Sequence, residues 1–215
     1  MRKIKQLTFD DLVNIGTKER KDLGEVKMKV KEIKGLYDLP GSWRWVKLGD
    51  IVEVLGGGTP SKSKREYWGG NIPWVSPKDM EQFYIYDSKE HITPLGLKES
   101  STKLIPENSI LIVFRSSILL KKLPVAINRV PVAINQDLKA LIPKSFVYPI
   151  FLGLYLLAIQ GYILERCRKK GVTVQSLEYE KFVDIPVPLP FKNNKPDLEE
   201  QKRIVAKIEE LFSKI

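Results

Sequence analysis

The stretch GGTPSKSKREYWGGNIPWVSPKDM, residues 57–80, holds four glycines, three prolines, two tryptophans and a Lys-Ser-Lys-Arg run. It has no cysteine, no histidine and no nucleophile–base pair. Such a loop suits recognition better than chemistry. Glycine permits close backbone approach to another chain, and proline fixes the path in advance, which lowers the ordering cost of binding. Lys62, Lys64 and Arg65 are placed to meet phosphates. Trp68 and Trp74 are expected to seed a local core, because IPWV reads as a buried strand.

The charge points the same way. The 215 residues carry 36 Lys and Arg against 26 Asp and Glu, a net +10. The excess lies in residues 41–196, with 22 basic and 14 acidic side chains, around the quoted loop. A balance this basic favours a polyanionic partner. The single cysteine, Cys167, allows no internal disulfide and fits a reducing cytoplasm. MRKIKQLTFDD lacks the apolar core of a signal peptide. The apolar run FLGLYLLAI, 151–159, is about half the ~20 residues of a membrane-spanning helix. The expectation is a cytoplasmic chain with no membrane partner.

Three parts can be read along the chain. Residues 1–40 form an arm, with a short helix expected from Thr8. Val26, Met28 and Val30 alternate with lysines at a strand period. LPGSW, 39–43, is a Pro-Gly turn. The middle, 41–190, mixes strands and loops. WVKLGDIVEVL, 45–55, starts as a strand, and SILIVFR, 109–115, reads as a buried one. VAIN occurs twice, seven residues apart, too few copies for a solenoid. Residues 146–166 predict one helix, with Gly171 beyond its basic end as a stop signal. The third part, 191–215, follows the proline-rich IPVPLP, which reads as a spacer. Asp197 is placed to cap a helix in which Ile204, Ile208, Leu211 and Ile215 step by four, three and four. That seam needs another surface, and the proline-rich stretch before it favours a partner helix or coiled coil over packing back on the chain's own domain.

Catalytic patterns are missing. His91 is the only histidine, so neither a Ser-His-Asp nor a Cys-His constellation can be assembled, and zinc-finger ligands are lacking. No phosphate-cradling glycine motif is present. Pro196-Asp197 followed by Glu200-Gln201-Lys202 superficially matches a nuclease pattern, but helix capping accounts for it. No catalytic and no metal residues are assigned.

Taken together, LPGSW, WVKLGDI, GGTPS, YWGGNIPWVSPKDM, ITPLGLKESS, INQDLKAL, GVTVQSL, IPVPLP and LEEQKRIVAKIEEL resemble the specificity subunit of type I restriction–modification systems, over about residues 39–215. The resemblance implies half of such a subunit, folded as a mixed α/β (α+β) globule with a protruding C-terminal helix of coiled-coil type. One target recognition domain would read one half-site of a bipartite double-stranded DNA target. A conserved helix would then hold the methyltransferase subunit and set the spacing. It also implies a homodimer, or pairing with a second half-subunit, and a restriction/translocase partner. S-adenosylmethionine, ATP and Mg would belong to those partners, with no cofactor in this chain. FKNNKPD, 191–197, departs from the family by intervening before the helix. The candidates for DNA contact are Lys62, Ser63, Lys64 and Arg65; Lys78 and Asp79; Arg115 and Ser116; Arg166, Arg168, Lys169 and Lys170; and Thr173 and Gln175. Arginine suits guanine and glutamine suits adenine, whereas lysines mostly hold the backbone. Asn135 and Gln136 read better as turn residues. The alternatives are a coiled-coil scaffold with only non-specific DNA affinity and a nuclease fragment.

Overall fold

The computed structural model describes residues 35–171 and 173–214. The helix expected from Thr8 and the strand period at Val26–Val30 lie outside them, as does Ile215. The chain turns at Gly41–Ser42, where Trp43 N–H donates to Pro40 O at 2.8 Å, as LPGSW predicts. Strand β1 (Trp43–Lys47) does not run on through WVKLGDIVEVL. A single helical turn, α1 (Leu48–Ile51), interrupts it before β2 (Val52–Gly56). Leu48 and Ile51 are both buried, and one helical turn puts them on the same inward face.

Eight short strands complete the middle of the chain: β3 (Trp68–Val75), β4 (Tyr84–Ile85), β5 (Glu90–Ile92), β6 (Leu104–Ile105), β7 (Ile110–Val113), β8 (Val125–Asn128), β9 (Val132–Ile134) and β10 (Leu138–Pro143). A single turn, α2 (Pro94–Lys98), follows β5. One sheet has the order β2-β10-β7-β8-β4 and another the order β5-β3-β9-β6. The two VAIN copies form β8 and β9, one in each sheet. The repeat is therefore where the chain crosses between sheets. Each copy ends in a buried asparagine with a structural task. Asn128 Oδ1 accepts from Ser109 N at 3.0 Å, and Asn135 Oδ1 accepts from Asp137 N at 3.0 Å.

The apolar stretch from residue 149 forms two helices, α3 (Pro149–Ala158) and α4 (Gln160–Cys167), bent by 68°. Gln160 accounts for the break. Its Nε2 donates to Leu157 O and its Oε1 accepts from Leu123 N, so a side chain competes for a carbonyl of the helical ladder. Among the described residues, no single helix is long and apolar enough to cross a membrane. Cys167 ends α4 fully buried, and burial pushes its thiol up to about 11. A thiol reagent at pH 8 should therefore leave the native chain unmodified and react after denaturation. Prompt native labelling would mean that the end of α4 opens readily.

The largest corrections concern the C-terminal third. After the short α5 (Tyr179–Val183), all of IPVPLP but Ile185 is buried strand, the first five residues of β11 (Pro186–Lys192), antiparallel to β1. Pro186, Pro188 and Pro190 occupy alternate positions, and Phe191 N–H, in the opposite phase, points to Ser42 O at 2.8 Å. The missing proline donors thus all face away from β1, and that pairing loses nothing. Asn193 and Asn194, both at positive φ, turn the chain into β12 (Lys195–Pro196). The expected division at residue 190 falls inside β11.

Asp197 does cap the last helix, α6 (Leu198–Ser213), accepting from Glu200 N at 3.1 Å. However, α6 does not protrude along its length. Ile204, Val205 and Ile208 are buried in the main core, against α3 and β11. The seam expected to face a partner is covered over these turns by the chain's own domain, because a half-buried stripe of this size finds a nearby apolar surface first. Leu211 remains 39% exposed. The outer face is neutralised internally by Glu199–Lys202, Glu200–Arg203 and Glu210–Lys207 pairs, each at 2.8 Å.

Candidate nucleic-acid interface

Sheet topology gathers the quoted motifs at one rim. β3 and β9 run parallel, with Val75 beside Ile134, so both end at the same side. The turn 135–137 leads into β10, whose first residue, Leu138, lies opposite Val113 at the end of β7. Gly56, at the end of β2, lies opposite Lys139. GGTPS, SPKDM, RSS and NQD therefore leave four strand ends on one edge of the molecule.

The glycines of GGTPS serve packing within the chain, not approach to another one. A Cβ on Gly57 would lie 2.2 Å from both Ile134 O and Asn135 O, and one on Gly58 would lie 2.2 Å from Ser101 Oγ. Gly58 N–H donates to Ile134 O at 2.9 Å, Trp74 Nε1 donates to Gly58 O at 3.0 Å, and Thr59 hydrogen-bonds Gln136. Trp74 is buried, as IPWV predicts. Trp68 is half-buried and meets it edge-on, with centroids 5.2 Å apart.

The basic run beyond is partly committed. Lys62 pairs with Glu90, and its Nζ lies 3.6 Å from the Trp68 ring centroid. Lys64 Nζ donates to Tyr67 Oη at 2.7 Å, a bond that raises the lysine above its usual range. The Ser63 hydroxyl lies 2.8 Å from that of Ser61. Arg65 and Lys78 are exposed and have no acidic partner among the described residues. Asp79 is fully occupied. Its Oδ2 accepts from Ser76 N and Oγ, each at 2.9 Å, closing a capping box, and its Oδ1 accepts from Lys89 N at 3.0 Å.

The remaining candidates form one stitched unit. Arg115 Nε donates to Asp137 Oδ1 at 2.7 Å, which ties it to the 135–137 turn. Ser116 N–H donates to Gln175 O at 3.0 Å, and Lys169 N–H to Ser176 O at 2.9 Å. Arg168 Nη1 donates to Leu119 O at 3.3 Å. The loop after α4, carrying Lys169, Lys170, Thr173 and Gln175, is thereby fastened beside the 3-10 turn Ser117–Leu120, which Ser116 Oγ caps. Gly171 adopts φ +71 within that loop, four residues past the helix end it was expected to mark. Arg166 is exposed on the last turn of α4. The 57–65 loop meets this unit through residues 134–137: Thr59 holds Gln136, while Arg115 holds Asp137. Asn135 does the expected turn chemistry, and Gln136 links the two loops.

Sequence reading missed Lys121 and Lys122, which are exposed where β7 returns toward β8. The signal was available, since they follow the same strand end as Arg115 and Ser116. His91 Nε2 lies 2.7 Å from Asp87, whose carboxyl is lowered by the Ser88 backbone N–H and then by His91. Among the described residues, no group of three or more His, Cys, Asp or Glu is placed to hold a metal.

Fold and rim define a class: a mixed α/β domain that presents polar and cationic loops from the ends of two sheets. Within it, residues 40–215 match the type I restriction modification DNA specificity domain, and the chain belongs to that family. It is 42% identical over 166 residues to the specificity subunit of the type I restriction enzyme EcoR124I/EcoR124II of Escherichia coli, an alignment covering 77% of this chain and 40% of that subunit. To the MjaIX specificity subunit of Methanocaldococcus jannaschii it is 35% identical over 174 residues, covering 73% and 37%. The HsdS subunit from Thermoanaerobacter tengcongensis shares the fold at a TM-score of 0.61 and 20% identity, over 83% of this chain and 39% of that one. The chain thus spans about two-fifths of the length of the curated relatives it matches.

Proposed function

We propose that this chain is a DNA-recognition unit of a type I restriction–modification specificity subunit, reads one half of a bipartite target, and does no catalysis itself. The supporting observation is the convergence of four strand ends and the 168–177 loop on one rim. That rim offers exposed cations for phosphates, with Ser116 and Gln175 beside them. The methyltransferase and restriction/translocase subunits would supply the chemistry, with S-adenosylmethionine, ATP and Mg bound there. A bipartite site needs two readers, so the unit pairs with a second copy or with another specificity chain. With Ile204 and Ile208 buried, such pairing falls to the exposed side of α6, including Leu211.

Selection-sequencing of random duplex DNA, with the cognate methyltransferase subunit present, tests this directly. A split motif is the expected result. No enrichment at any salt concentration would favour a scaffold with incidental charge. Salt dependence tests the loops separately. Each lost phosphate contact lowers the slope of log K against log salt by roughly 0.9, so an Arg65→Gln/Lys78→Gln pair should lower it by about 1.8. Lys62→Gln should change it less, because Glu90 already holds that charge. An unchanged slope in the double variant would remove those two loops from the interface.

A further inference from the structure

Two apolar side chains stand out on the otherwise polar rim. Leu120 is 60% exposed and Val174 is 55% exposed, although the rest of the 3-10 turn is anchored by a fully buried Leu119. The two residues adjoin the bonds that hold their segments together: Leu120 follows the Leu119 carbonyl bound by Arg168, and Val174 precedes the Gln175 carbonyl bound by Ser116. Exposed lysines flank both, Lys121 and Lys122 on one segment and Lys169 and Lys170 on the other. None of the four has an acidic partner among the described residues. Single exposed hydrophobics are ordinary on protein surfaces. Here, though, four uncompensated cations disfavour burial against another basic or apolar protein face and favour a polyanion that also carries apolar groups. Duplex DNA meets that description in its major groove, where the thymine C5-methyl is the apolar feature among hydrogen-bonding base edges.

We propose that Leu120 and Val174 are specificity-determining residues that contact thymine methyl groups in the major groove, while the flanking lysines hold the adjacent phosphates. This rests on the DNA-recognition reading above and names part of what is read. Ser116 and Gln175, whose backbones are joined by a 3.0 Å hydrogen bond, supply the polar part of the same surface.

The test uses the full chain with its methyltransferase subunit and the half-site that selection returns. Affinity is compared for that duplex and for one with deoxyuridine in place of thymidine, which removes only the methyl groups. The wild type should lose about fourfold per contacted methyl, from the transfer free energy of one such group. The Leu120→Ser/Val174→Ser variant, checked for folding by circular dichroism, should bind both duplexes alike. Leu120→Met/Val174→Ile should retain the methyl sensitivity. Equal binding of both duplexes by the wild type would overturn the proposal and leave DNA recognition standing. So would undiminished methyl sensitivity in the serine variant, or a half-site built only of G·C pairs. Loss of the methyltransferase subunit on co-purification of the serine variant, with methyl sensitivity intact, would assign the pair to a protein contact and overturn it too. No enrichment by the wild type would remove the parent reading and this proposal together.

Discussion

Replacing Gln201 with leucine should lower the melting temperature by roughly 6–12 °C, corresponding to about 3 kcal/mol in a chain of this size. Gln201 is fully buried on α6, and its amide reaches the segment that enters α3. Oε1 accepts from Tyr148 N at 2.8 Å, and Nε2 donates to Phe146 O at 3.0 Å and to Asp197 O at 3.4 Å. Leucine fills similar space but satisfies none of these groups. Two partly buried backbone groups would be left without partners, each costing about 1–3 kcal/mol. Apolar size alone cannot compensate. The helix would keep its stripe of Ile204, Val205 and Ile208 but lose the fastening that orients it. A thermal melt within 2 °C of the parent would show that water replaces the amide at little cost, and that the stripe alone seats the helix.

A second large effect is expected from Gly57→Ala. The added methyl would sit 2.2 Å from two carbonyl oxygens and 2.6 Å from the Ile134 carbonyl carbon, all backbone atoms at the end of a buried strand. No rotamer can relieve a Cβ, so the 57–59 segment must move away. Overpacking of this kind costs about 1–3 kcal/mol. The displacement would also break Gly58 N–H to Ile134 O and the Thr59–Gln136 contact. Target affinity relative to random duplex should then fall by roughly an order of magnitude or more, the scale of a mismatched base pair. Gly41→Ala is the control, since nothing lies within 4 Å of its added methyl. If both variants keep their discrimination, the GGTPS loop is not a positioning element for recognition.

What was legible in the sequence was what local chemistry determines. ILIV, short and rich in β-branched residues, reads as a buried strand, and Asp197 followed by Glu199 and Glu200 marks a helix start through a hydrogen bond three residues long. Trp74 belongs to the core because its indole has both apolar contacts and a carbonyl to bond. The failures share a different character. IPVPLP has the proline density of a spacer, and only the partner strand tells which edge the missing donors face. The bend at Ile159 depends on Leu123, 37 residues from the Gln160 that bonds it. The a/d seam of α6 announced that it needed a partner surface, but not that the chain itself supplied one. The rim followed the same rule. Each motif could be singled out by composition, yet their meeting through the 134–137 turn is a property of strand order. The charges were similarly ambiguous: Lys62 and Arg65 look alike in sequence, and only the fold shows Glu90 against one of them.

The alternate prolines of β11 have a further consequence, for the edge of that strand turned away from β1. An uncovered strand edge ordinarily offers a ladder of donors and acceptors to any extended segment nearby, the usual start of aggregation. Along Pro186, Pro188 and Pro190 that ladder has no donors on the side turned away from β1. A foreign strand arriving there would find half of its hydrogen bonds impossible. Where β12 does not already pair with it, that edge is therefore a poor template for joining the sheet of one molecule to that of another.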